Sequence, residues 1–472
     1  MIAKEETVST SPTADDPYQP FTMNLDGNEV DINIDLAKDD QLTLLVTIMS
    51  KIKEWVHAAT TSDESKAKAF TPLRMTVRGS AGAGKSFFIK CLANTVRAIF
   101  GHNAVVKIAA PTGAAAYNVG GETVHRTWGI NPHKPSQELG KKATKRLKAS
   151  SKHILLIVMD ERSMLTADVM GAAERNTAKT VHNGSHDSED WGGVPAIVLV
   201  GDDFQLPPPT NKEKGAFDTM DTKSSWSQQS FRGTASFGNQ IFLNMSNHCM
   251  ALTSIKRQNS SQTKCKEILN RLRIGETTEE DADHLLSLHL ANYSSRDTQA
   301  ILAKGVVMHL FATKAPRDEH NYRCLSDISS EENPVALLKA QWSSTTRMKA
   351  SLISDHFKNP PPNATLLCRG AMVRIIDKNF IPRWGLFNNA IGTVVDIVFK
   401  PGNDPNNGDL PLYVVVHFKH YQGPAWCMNN PKASNTDHFG KFIIHRFLLI
   451  LTHSFPPYSI TLACAHTNDH HA

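Results

Sequence analysis

The amino-acid sequence predicts an α/β protein built on a parallel sheet with helices on both faces. Three observations carry that expectation. The apolar stretch "RMTV" runs into the glycine-rich turn "GSAGAGKS" and then into "FFIKCLANTVRAIF", which has helical spacing. Two more apolar strands, "ILLIVM" (154–159) and "AIVLV" (196–200), end close to paired acids. Helical segments separate these strands, and near-continuous apolar strands alternating with helices indicate a doubly covered parallel sheet.

In chain order, residues 1–35 mix Ser, Thr, Pro, Asp and Gly without apolar periodicity and are expected to be a disordered acidic leader. From Gln41, "QLTLLVTIMSKIKEWV" repeats apolar residues at helical spacing. The strand–turn–helix unit follows, then the strand "AVVKIAAPTG" and a helix opening near Ala114. The basic segment 137–153 reads as a helix leading into "ILLIVMDE", and the next strand is "AIVLVGDD". Residues 265–288 read as two helices split at Gly275, with a capping signal at Thr277–Glu280. "VVMHLFATK" (306–314) reads as a strand and 331–365 as a loop. Alternation from Gly370 to about 420 predicts a small antiparallel β module.

Composition narrows the partners. With 472 residues, 40% hydrophobic and 21% charged, the chain has ample core for roughly two to four domains. No apolar run reaches the roughly 18 residues of a membrane helix, so no membrane partner is expected. The first forty residues hold ten acids and two lysines, which argues against an Arg-rich transit peptide. The net charge of +5 therefore divides into −8 on that leader and +13 on residues 41–472. A basic body points to a polyanionic partner such as nucleic acid. Seven scattered cysteines without a C-x-x-C pair suit reduced thiols in an intracellular compartment. Nucleus or mitochondrion is expected if the source is eukaryotic, and cytoplasm otherwise.

Two motifs carry chemistry by themselves. Gly79, Ser80, Ala81, Gly82, Ala83, Gly84, Lys85 and Ser86 satisfy G-x-x-x-x-G-K-[ST] between a strand and a helix. Such a turn wraps backbone N–H groups around nucleotide phosphates at a helix N-terminus. Lys85 is expected on the β and γ phosphates and Ser86 on Mg²⁺. Asp160 and Glu161 close the next apolar strand, where two carboxylates are costly without partners. Their functional reading is Mg²⁺ coordination by Asp160 and activation of water by Glu161; the alternative is a solvated turn. Guanine specificity requires N-K-x-D, which "NKEK" (211–214) fails.

The ordered series "GSAGAGKS", "APTGAAAYNVGGETVH" (110–125), "VMDERSML" (158–165), "GDDFQLPP" (201–208), "KRQ" (256–258) and "GLFNNAIGTV" (385–394) resembles the Pif-type branch of superfamily-one DNA helicases, related to RecD. The similarity extends from about Gln41 to about residue 425. It implies a 5′-to-3′ motor that couples ATP hydrolysis to translocation on single-stranded DNA and to unwinding at duplex junctions. The implied roles are in genome maintenance: telomeres, DNA repair and recombination. ATP and Mg²⁺ are the implied cofactors, and a monomer is expected.

The implied architecture is a first RecA-like ATP-binding domain over 36–212, a second, incomplete RecA-like domain over 213–365, an SH3-like β insertion over 366–440 and a divergent tail over 441–472. The resemblance assigns Gln41 to adenine recognition and Gln205 to sensing the γ phosphate. It assigns Arg257 to reaching that phosphate from the second domain, and Thr112, Gly113 and His125 to DNA. His125 could equally be a core histidine, and Lys141, Lys142, Lys145, Arg146, Lys148 and Lys152 either a solvated face or a DNA contact.

Three departures stand out. Arg162 follows the acid pair where the family usually has an apolar residue, and Asn389 stands where glycine is usual. The family's T-I-H-K-x-Q-G and Y-x-A-x-S-R elements are absent before Ala472, so the chain is expected to be truncated ahead of the last two motifs. The rival expectation is a remnant that binds ATP and nucleic acid, or a partner, without motor activity. Cys464, His466, His470 and His471 near the end have no upstream partner to complete a metal site.

Overall fold

A computed structural model describes residues 22–61 with short gaps, 70–181, 190–208, 235–253 without 246–247, 263–294, 296, 309–339, 364–376, most of 382–422, 441–445 and 461–464. The chain divides into two compact units, Met1–Thr277 and Thr278–Ala472.

The first unit begins with an antiparallel hairpin of strands β1 (Thr22–Leu25) and β2 (Asn28–Asp31), within the segment expected to be disordered. Its centre is a six-stranded sheet. The strands are β3 (Leu73–Gly79), β4 (Val106–Ala110), β5 (Glu122–Thr123), β6 (Leu156–Met159), β7 (Ala196–Gly201) and β8 (Cys249–Leu252). Their spatial order is β5-β4-β6-β7-β3-β8, and every pair is parallel. All residues of β6 and β7 are buried, as central strands covered on both faces require.

The helices follow local rules. In Asp39–Thr60, Gln41, Leu44, Leu45, Ile48, Met49 and Ile52 form the buried stripe, and Asp39 and Asp40 complement the dipole at its start. Helix Lys85–Phe100 lies between two left-handed glycines, Gly84 and Gly101. One core joins these two helices to β3, β4 and β7. A second core packs Trp128, Trp191 and the helix Ala167–Val181 against β6 and β7.

Helix Ala235–Met245 and β8 also belong to this unit, since β8 pairs with β3 from Thr76↔Cys249 to Gly79↔Leu252. The unit therefore extends to Thr277, past residue 212 where the motif order ends the first domain. The reason is tertiary: β3 needs a neighbour on its free side, and the chain returns to supply one.

In the second unit every strand pair among the described residues is antiparallel. Strands β9 (Ala336–Lys339) and β10 (Ala364–Leu367) form one pair, lying in and just beyond the stretch expected to be a loop. A five-stranded sheet runs β14-β13-β12-β11-β15, from β11 (Met372–Ile376), β12 (Ile391–Val398), β13 (Tyr413–Phe418), β14 (Lys441–His445) and β15 (Thr461–Cys464). The β module thus recruits strands from beyond residue 440. Helices span Glu279–Ser287 and Lys314–Ile328. Lys314 opens a helix where the sequence suggests a strand's end, and residues 309–313 are not strand. The capping box is Thr278–Asp281, one residue along from the sequence reading: Thr278 Oγ1 accepts from the Asp281 N–H and Asp281 accepts from the Thr278 N–H. Asn389 has φ 71, a left-handed conformation that asparagine tolerates better than other non-glycine residues.

Candidate functional site

The parallel order lines up five loops along the carboxyl edge of the first sheet, where open α/β sheets bind ligands. The glycine-rich turn leaves β3, the Gln205 loop leaves β7, the Asp160–Glu161 pair leaves β6, Thr112 and Gly113 leave β4, and His125 follows β5. β7 lies between β3 and β6, so the Gln205 loop exits between the glycine-rich turn and the acids.

The turn owes its shape to glycine. Gly82 and Gly84 have φ of 84 and 79, and a Cβ on Gly84 would lie 2.6 Å from Gln41 Nε2. The Gln41 side chain is buried beside the turn, with Nε2 donating to the Gly84 carbonyl over 3.4 Å. Ala83 N–H donates to the Ser80 carbonyl, closing the turn. The Lys85 ammonium donates to the carbonyls of Gly79 at 2.8 Å and Ser80 at 3.2 Å. Lysine and first-turn N–H groups therefore lie at one helix N-terminus, with no capping side chain on Gly84. Ser86 is exposed on the same turn.

Asp160 is buried, and its Oδ1 has no hydrogen-bond partner among the described residues. Burial, with Glu161 alongside, pushes its carboxyl up to about 6; the Glu161 backbone N–H and Lys85 pull the other way. Glu161 has φ 50 and ψ 49, a left-handed backbone that costs roughly 1–2 kcal/mol for an ordinary side chain. Strain of this kind is retained where the surroundings impose it, typically at functional sites. An unsatisfied buried carboxylate oxygen is the kind of donor that a hard divalent cation takes.

The second acid pair is neutralised instead. Asp202 is buried and receives Arg273, whose Nη2 lies 2.6 Å from Oδ1 and whose guanidinium stacks 4.5 Å over the Phe204 ring. Asp203 accepts from Arg162 Nη2 at both carboxylate oxygens and forms an ion pair with Arg78, whose Nε lies 3.1 Å from Oδ2. Asp202 also holds its own turn: Oδ1 accepts from Phe204 N–H and the carbonyl from Gln205 N–H. Gln205 is half-buried at the end of this clamp.

Arg162, Asp202, Asp203 and Arg273 were not singled out as site residues from the sequence. The available signals were an arginine at a normally apolar position and an acid doublet after a buried strand. Their partners are up to 71 residues away and could not be paired by inspection.

Thr112 caps the helix Gly113–Asn118, its Oγ1 accepting from the Ala115 N–H at 3.2 Å. Gly113 is buried and His125 half-buried in the helix Val124–Trp128. Lys141, Lys142, Lys145, Arg146 and Lys148 are exposed around the helix Lys141–Ser151, which is anchored by buried Leu147. Lys152 caps its end. Arg257, His466, His470 and His471 lie outside the described residues, as does the Cys464 side chain. No group of three or more His, Cys, Asp or Glu suited to a metal ion occurs among the described residues. None of the described helices is long and apolar enough to cross a membrane.

A family model described as PIF1-like helicase matches residues 58–283. The chain is 30% identical over 338 residues to the ATP-dependent DNA helicase PIF1 of Danio rerio, covering 69% of this chain and 44% of that protein. It is 28% identical over 214 residues to the ATP-dependent DNA helicase RRM3 of Saccharomyces cerevisiae, covering 45% of this chain and 26% of the relative. The matches thus span less than half the length of either protein. A solved structure described as two coordinating Pif1 helicases unwinding forked double-stranded DNA superposes with a TM-score of 0.54 at 21% identity, over 91% of this chain and 81% of that one. That likeness concerns the fold, a P-loop sheet of the RecA-like type. The glycine-rich turn, both acid pairs and the Gln205 loop all lie inside residues 58–283, the segment that matches the PIF1-like helicase family.

Proposed function

We propose that the chain is an ATP-driven DNA helicase that moves 5′-to-3′ on single-stranded DNA and opens duplex junctions in genome maintenance. One observation carries the reading: Lys85, the strained Glu161 turn and the Gln205 loop converge on adjacent strand ends of a single sheet. The curated relatives named as ATP-dependent DNA helicases support it.

ATP would lie with its phosphates on the turn 79–86 and its base toward Gln41. Lys85, withdrawn from the Gly79 and Ser80 carbonyls, would meet the β and γ phosphates. Glu161 would take a proton from the attacking water. Gln205 would report the γ phosphate, and Arg257 would stabilise charge developing on it. Ser86 and Asp160 would hold Mg²⁺, which offsets phosphate charge and satisfies the orphaned Asp160 oxygen. Thr112, Gly113 and His125, farther along the same edge, would face the DNA strand. Cys249, Cys265, Cys324 and Cys368 are not joined in disulfides, which supports an intracellular compartment.

The test is ATP turnover by the purified chain with and without single-stranded DNA, then unwinding of duplexes carrying a 5′ or a 3′ overhang. The reading predicts DNA-stimulated hydrolysis and opening of the 5′-tailed duplex. Failure to bind ATP–Mg²⁺ and single-stranded DNA sinks it, and preference for the 3′ tail overturns the polarity. A second reading, a nucleotide- and DNA-binding protein without motor activity, is favoured by the purely antiparallel pairing among the described residues of the second unit. Bound nucleotide with no DNA-stimulated turnover selects it.

A further inference from the structure

The acid pair that ends β6 and the loop that ends β7 are joined by one side chain. Arg162 follows Glu161 directly and is 1% exposed. It crosses the end of β7 over Gly201, where a Cβ would lie 2.7 Å from Arg162 Cγ and 2.9 Å from its backbone nitrogen. Only a glycine leaves that passage open. Beyond it Nη2 meets both carboxylate oxygens of Asp203, two residues before Gln205, and the guanidinium lies 5.4 Å from the Phe242 ring centroid. Its Nε and Nη1 find no partner among the described residues. A buried guanidinium with two idle donors is a costly choice for packing alone, since an apolar chain would fill the same space. What it adds is a charge-assisted tie between two loops, one guanidinium nitrogen set against both oxygens of the carboxylate.

We propose that Arg162 is a positioning residue, whose ion pair with Asp203 fixes the Gln205 loop to the Glu161 turn so that both groups meet the γ phosphate in one register. Neither residue touches the phosphate. The pair also makes a specific demand on this chain, in which an arginine at a normally apolar position is matched by an aspartate across the strand ends. The inference rests on the ATP-hydrolysing reading above, so its test includes a measurement that needs no turnover.

The experiment compares the full chain with Arg162→Met, Asp203→Leu, the double variant and Arg162→Lys. Amide hydrogen exchange of segment 201–208, melting temperature, affinity for a fluorescent ATP analogue with Mg²⁺, and DNA-stimulated kcat are read for each. Arg162→Met and Asp203→Leu are expected to speed exchange in 201–208 and to lower kcat about tenfold or more, with analogue affinity changed by less than about threefold. The double variant is expected to lose no more kcat than the worse single, because both act through one contact. Arg162→Lys keeps the charge on a shorter chain that reaches less far past Gly201, and is expected to fall between wild type and Arg162→Met. Unchanged exchange in 201–208 overturns the proposal, as do additive losses in kcat or losses that merely follow melting temperature and analogue affinity. A wild-type chain that binds ATP without hydrolysing it overturns the motor reading and the proposed register, whereas the exchange data still decide whether the tie exists.

Discussion

Two neighbouring strand ends carry the same kind of sequence and have opposite fates. β6 ends in Asp160–Glu161 and β7 in Asp202–Asp203, both after fully buried apolar runs. Arginines 273, 162 and 78 neutralise the second pair. The first receives no arginine among the described residues: Asp160 keeps an orphaned oxygen and a carboxyl pushed up to about 6, and Glu161 a left-handed backbone. Paired acids hold a loop in shape. An acid left short of a partner, as Asp160 is, has an oxygen to give to the Mg²⁺ of the proposed function.

That contrast can be broken or sharpened by substitution. The largest expected effect is on turnover. Glu161→Gln should leave ATP binding intact and lower the hydrolysis rate about a thousandfold, as loss of a general base does. Turnover at the normal rate would remove Glu161 from the working pair.

Asp160→Asn should raise stability at neutral pH without divalent cation. The folded carboxyl is pushed up to about 6 and the unfolded one keeps its ordinary value of 3.8, so the native state holds its proton more tightly between those values. Stability from this group is therefore greatest below about pH 4 and falls as pH rises through about 6, by about 3 kcal/mol at most. Thermal melts from pH 4 to 8 should show the variant gaining most above pH 6. Added Mg²⁺ should narrow the difference by stabilising only the wild type.

Asp202→Ala should move stability in the other direction. It leaves Arg273 facing a buried, unfilled position, but the arginine is about one-third exposed and can reach water. The expected loss is about 2 kcal/mol, below that for a fully buried pair. Urea melts measure it, and a gain would contradict the structural role given to the second pair. Arg78→Ala should change stability by less than about 0.5 kcal/mol, because its bridge to Asp203 lies at the exposed rim. A large loss there would shift the clamp from Arg162 to Arg78.

Much of the first unit was legible because its signals are local. Strand, left-handed glycines and helix follow from residues 75–100 alone, since glycine is the residue that enters the φ > 0 region freely. Asp160, Glu161 and Gln205 were visible as polar residues just past apolar strands. Other features were illegible because they depend on distant groups. β8 could not be assigned to the first sheet without knowing that β3 lacked a neighbour. Both Thr277 and Thr278 satisfy the capping pattern, and only backbone geometry selects Thr278. Asn389 departed from a glycine pattern in sequence, yet it adopts the left-handed turn that pattern serves.

The sequence by itself determined the class of fold, the phosphate-type turn and the residues at the strand ends, because strand burial, glycine φ and helix starts are decided within a few residues. Only the tertiary structure decided which acids are neutralised. Arg273 and Arg162 reach Asp202 and Asp203 across 71 and 41 residues of chain, and none reaches Asp160 among the described residues. The charge state and freedom of a carboxylate depend on what folding brings beside it, and no local pattern records that.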